Sequence, residues 1–78
     1  MSNQIKKTIV LSGHNTSIAL EKEFWVQLKK IASKENLKLD DLIQKIDKED
    51  RKGSLASEIR VYILKSIEND RKDTPNKL

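Results

Sequence analysis

The chain has 78 residues, no cysteine, one histidine and a formal net charge of +4. The cysteine count excludes a disulfide scaffold and a thiolate metal site, and His14 alone cannot build a metal site. A chain this short buries only roughly 60% of its unfolded surface, so oligomerisation is the remaining way to reinforce a marginal core. No apolar run reaches the length of a membrane span. Met1 to Lys7 lacks the apolar core of a signal peptide. A cytoplasmic location is therefore expected. Charge is uneven: residues 1–38 hold seven Lys against three Glu, whereas residues 39–53 hold four basic against five acidic groups. The positive excess in the first half favours an anionic partner there.

Residues 1–7 are polar and read as a mobile arm. Thr8 to Leu11 is a short β-prone run, punctuated by Ser12-Gly13. Gly13 next to a strand-like stretch implies a bulge, a bend or a close backbone approach. The path of residues 8–13 stays open at this point.

Thr16 to Leu20 alternates, with Thr16, Ile18 and Leu20 on one side and Ser17 and Ala19 on the other. Period two with β-branched residues predicts a strand with one apolar face. A lone strand leaves its N–H and C=O groups without partners. The simplest remedy is the same strand from a second copy. The expected fold class is mainly α with one short β-strand, assembled as an intertwined homodimer around an intermolecular two-stranded antiparallel ribbon.

From Glu21 the apolar positions Phe24, Leu28 and Ile31, with Trp25 and Ala32 beside them, follow helical spacing to about Asn36. Phe24 and Trp25 read as core. Asn36 suits a left-handed helix stop. Leu39, Leu42, Ile43 and Ile46 repeat at i, i+3, i+4, i+7 and mark a second helix, which ends in the polar run closed by Gly53. Ser54 is a good N-cap for a third helix carrying Leu55, Ile59, Tyr62, Ile63 and Ile67. The domain is expected over 8–67, followed by a polar tail, 68–78.

The order strand, helix, tight turn, helix resembles the ribbon-helix-helix DNA-binding proteins. Gly13-His14-Asn15-Thr16-Ser17-Ile18, then Leu20-Glu21 and Phe24-Trp25, resemble a bacterial subfamily with a GH-x-TS-[IV]-x-LE-x-x-FW signature. Leu55, Ser57, Ile59-Arg60-Val61 and Leu64 resemble its C-terminal segment. The resemblance implies a dimer whose β-ribbon enters the major groove, while the N-terminus of the second helix anchors a phosphate.

With Ile18 and Leu20 inward, Asn15, Ser17 and Ala19 become the expected base-facing residues. Lys38 and the Leu39 amide, with Lys22, Lys7 and Lys6, become the expected phosphate contacts. The family usually has a small hydroxyl where Lys38 stands. Ser57, Arg60 and His14 are secondary candidates, and an internal Arg60–Asp47 bond is an alternative use of that arginine. Lys29, Lys30 and Lys34 read as a solvated helix face. No cofactor is expected. The sequence offers no nucleophile–base pair, metal set or glycine-rich phosphate loop, so catalysis is not expected. A transcriptional regulator acting on double-stranded DNA is the leading reading, with an antitoxin or adaptor gripping a protein through its C-terminal helix as the alternative.

Overall fold

The computed structural model describes residues 3–47 and 53–72. Five elements follow one another: β1 (Gln4–Leu11), β2 (His14–Glu21), α1 (Lys22–Lys34), α2 (Leu39–Ile46) and α3 (Leu55–Lys72). β1 and β2 are antiparallel neighbours in a two-stranded sheet, with Leu11 opposite His14 and Gln4 opposite Glu21. Only Ser12 and Gly13 connect them, at φ 50 and φ 80. Two positive φ values mark a type I′ turn, whose twist matches that of the strands it joins. Glycine reaches that region freely. Ser12 is held there by α2: its N–H donates to Gln44 Oε1 at 2.8 Å, and Gln44 Nε2 donates to its Oγ at 3.3 Å.

The hairpin corrects two expectations. There are two strands rather than one, and β2 has a partner, β1, within its own chain. Residues 4–7 form the first half of β1 instead of a mobile arm. The physical reason lies in Lys7, which interrupts the apolar series Ile5, Ile9, Leu11. It nonetheless keeps inward parity, with its ammonium 5.5 Å from the Trp25 ring centroid. A lysine can lay its stem on apolar surface in this way.

The hairpin's inner face supplies Ile9, Leu11, Ile18 and Leu20 to the core. Trp25 and Leu28 of α1, Leu42 and Ile43 of α2, and Ile59 and Ile63 of α3 close over them. Phe24 is partly buried against this cluster. Fully burying each of these large side chains contributes about 1.5–3 kcal/mol. Trp25 also ties sheet to helix, donating from Nε1 to the Ile5 carbonyl at 2.8 Å.

The helix ends follow local chemistry. Asn36 sits at φ 58 after α1. Leu37 N–H donates to Ala32 O at 2.9 Å and Asn36 N–H to Ser33 O at 3.1 Å, the Schellman pattern with Asn in the left-handed place. Ser54 caps α3, its Oγ accepting from Ser57 N–H at 3.1 Å. That helix continues to Lys72, past the point where a polar tail was expected. Most of the polar run after α2 (48–52) and the end of the tail (73–78) lie outside the described residues.

Gly13→Ala should cost about 1–2 kcal/mol through left-handed backbone strain alone, since an added Cβ would meet no atom within 4 Å. A fall in the urea midpoint at unchanged m-value is the expected readout; an unchanged midpoint would remove the turn from its controlling position.

Candidate nucleic-acid interface

Directly opposed residues in an antiparallel pair share a face. The register places Lys6 opposite Ala19, Thr8 opposite Ser17 and Val10 opposite Asn15. These six lie on the outer face of the hairpin, away from the core. Asn15, Ser17, Lys6 and Thr8 are exposed, Ala19 is half-buried, and Val10 is 49% exposed. The three expected base-facing residues thus lie in one row, and a second row from β1 runs beside them.

The two edges of this sheet differ. Val10 N–H points away from β2 and donates to Asp40 Oδ2 at 3.2 Å. Val10 therefore belongs to a non-hydrogen-bonded pair, and so does Asn15 opposite it. By the same alternation the backbone groups of Asn15, Ser17 and Ala19 point outward from the far edge of β2. Among the described residues, no strand lies beyond that edge. Asp40 and Gln44 of α2 instead bond along the β1 side.

The other expected residues are dispersed. Lys22 opens α1 and is exposed, its N–H donating to Asn3 O at 3.3 Å. Lys7 lies on the inner face over Trp25, separated from Lys6 by the strand itself. Lys38 is the exposed N-cap of α2 and makes no side-chain cap bond. Leu39 follows it and packs against the core. His14 is exposed beside the turn, and Ser57 is exposed in the first turn of α3.

Arg60 has a different partner from the Asp47 alternative. Its Nε and Nη2 both donate to Glu21 Oε1, at 3.1 and 2.9 Å. Its guanidinium also lies 5.6 Å from the Phe24 ring centroid. Arg60 therefore fastens α3 to the end of β2. Lys34 pairs with Asp70 at 3.1 Å, but both side chains are more than half exposed, so the pair contributes little.

A model of ribbon-helix-helix domains matches residues 4–67. The chain belongs to the ribbon-helix-helix family. It is also similar to a solved structure, that of an uncharacterized protein from Bordetella pertussis Tohama I. Identity to it is 24%, the TM-score is 0.75, and the match covers 95% of this chain and 64% of that one. That likeness concerns the fold, and this chain spans less than two thirds of that protein. No curated protein matches.

Within this ribbon-helix-helix chain, sequence reasoning missed Thr8 and Val10 as outer-face residues, and Asp40 and Gln44 as partners of the hairpin backbone. The available signal was two strand-like runs separated by the dipeptide Ser-Gly. Asp40 and Asp41 also place two carboxylates in the first turn of α2. They suit the helix dipole and oppose an anion at the same place.

The Glu21 carboxyl is held below its ordinary value by its backbone hydrogen bond, then by hydrogen bonds from Gln4 and Arg60. Glu35 is lowered chiefly by the bond from Lys45, whose own value is raised by it. Tyr62 donates to Glu35 Oε2 at 3.2 Å, and burial pushes its phenol up. A carboxyl depressed in the folded state stabilises fully above its unfolded value, and that contribution disappears as pH falls through the depressed one. Thermal midpoints should therefore drop on acidification below the ordinary carboxylate range. Glu21→Gln should be less stable at neutral pH and show a shallower acid loss; a parallel, merely offset curve would contradict this assignment.

Proposed function

We propose that this chain is a sequence-specific double-stranded DNA-binding protein, a transcriptional regulator that acts as a homodimer by occluding its site. The observation that carries the reading is the outer face of the hairpin. It is polar and exposed at Lys6, Thr8, Asn15 and Ser17, and it is borne on a β-ribbon, an element that the major groove admits. Membership of the ribbon-helix-helix family supports it.

Each residue has a role set by its chemistry. Asn15 can bond bidentately to adenine N6 and N7, Ser17 can donate or accept, and Ala19 can touch only a thymine methyl. Lys22 and Lys38 offer charge to phosphates without reading sequence. At α2, the Leu39 amide and the Lys38 ammonium attract phosphate while Asp40 and Asp41 repel it, so this anchor is weaker than an uncharged helix start. Lys7 contributes to the core boundary rather than to DNA. The second copy adds along the open edge of β2. No bond is made or broken in this function.

Fluorescence anisotropy against a duplex selected from a random pool tests the proposal. Asn15→Ala should weaken the preferred duplex by about 1–3 kcal/mol and relax preference at one base pair in each half-site. Affinity should fall linearly on a log–log salt plot. Equal binding to all duplexes, insensitive to salt, would contradict the reading.

A further inference from the structure

Away from the hairpin, the helices enclose a cleft of mixed chemistry. We propose that this cleft, between the C-terminal end of α2 and the flank of α3, binds a small aromatic monocarboxylate. The carboxylate sits on Lys65, Ser66 and Asn69, and the rings lie over Ile46 and Val61. None of these residues belongs to the hairpin. The site is therefore separate from the face assigned to DNA and stands or falls independently of it.

The cleft has two halves. One is a cavity of about 300 Å³, lined by Lys45 and Ile46 of α2 and by Glu58, Val61, Tyr62 and Lys65 of α3. The other, about 330 Å³, is lined by Glu35 at the end of α1 and by Tyr62, Lys65, Ser66 and Asn69. Tyr62 and Lys65 line both, so the halves are neighbours along α3. Cavities of this order stand at the small end of ligand sites, with room for one or two rings.

The polar groups divide into committed and free. Glu35 is committed: Oε1 accepts from Lys45 Nζ at 2.9 Å, and Oε2 accepts from the Tyr62 hydroxyl at 3.2 Å. These two bonds tie all three helices together and fix the wall of the cleft in advance, which reduces the ordering that binding must supply. Lys65 is free, with no hydrogen bond or ion pair among the described residues. Its ammonium is thus the uncommitted cation of both halves. Ser66 and Asn69 bring a hydroxyl and an amide to the same place. An ammonium with two neutral donors suits a carboxylate.

The other end of the cleft is apolar. Val61 is 46% exposed, and Ile46 lies beside it. Tyr62 packs half-buried against the core, so its ring is a fixed flat neighbour, and ring–ring contacts contribute beyond the area they bury. Charge sets a limit. Glu58, in the first turn of α3, stands two helical turns before Lys65, about 10 Å along the axis. A second negative group at the far end of the ligand would meet that carboxylate. One charge and an apolar body is the combination that fits.

Titration of the isotope-labelled full chain with naphthoate, followed by backbone amide shifts, tests the site. Saturable shifts are expected at Ile46, Val61, Lys65 and Asn69, with Asn15 and Ser17 unmoved. Lys65→Ala should weaken binding by roughly tenfold or more, the loss of one charge-assisted bond. Lys29→Ala, on an exposed part of α1, should leave it unchanged. Naphthalenedicarboxylate should bind more weakly than naphthoate, and Glu58→Gln should narrow that gap. Absence of saturable shifts in the cleft overturns the site. So does equal affinity for uncharged naphthalenemethanol, or binding indifferent to Lys65→Ala. A dicarboxylate that binds as tightly as naphthoate overturns the single-charge limit. None of these outcomes bears on DNA binding.

Discussion

A two-residue turn at positive φ, Ser12-Gly13, governs where every hairpin side chain points. Because the loop is that short, Leu11 must face His14, and the register is fixed to the end of the sheet. A slip of one residue would exchange faces, exposing Ile9, Ile18 and Leu20 and burying Asn15 and Ser17. The apolar inner face and the polar outer face are therefore one constraint seen from two sides. The core opposes the slip through burial, and Gln44 opposes it at the turn itself.

Besides the Gln44 bonds at the turn, the helices hold this ribbon at three further points. Trp25 bonds the Ile5 carbonyl near the start of β1, Asp40 bonds Val10 near its end, and Arg60 clasps Glu21 where β2 becomes α1. These contacts come from α1, α2 and α3 in turn. The consequence is a preorganised surface: the outer row is presented by backbone already fixed, so little ordering is left for binding to supply. It also explains why the two edges are unequal, since α2 bonds β1 and leaves β2 open.

Much of this was legible in the sequence. Helical spacing located all three helices, Ser54 and Asn36 declared a cap and a stop, and alternation over Thr16–Leu20 fixed which side of β2 faces out. The hairpin was not read, for a definite reason. Lys7 sits at an inward position and disguises the alternation of β1. Gly13 alone implies only a bulge, a bend or a close backbone approach; the two-residue spacing around it is what marks the hairpin. Missing β1 hid half of the outer face. Arg60 was likewise noticed, but its partner Glu21 lies far away in sequence, and only tertiary packing brings the two together.

The central claim is that the outer face of the hairpin is the surface offered to DNA. Backbone amide shifts recorded by NMR during titration with a selected duplex test it most directly. The account predicts that the large changes fall on Lys6, Thr8, Asn15, Ser17 and Ala19, with smaller ones at Lys22 and Lys38. Changes confined to the exposed Val61, Leu64 and Ile67 of α3, with the hairpin unmoved, would contradict it.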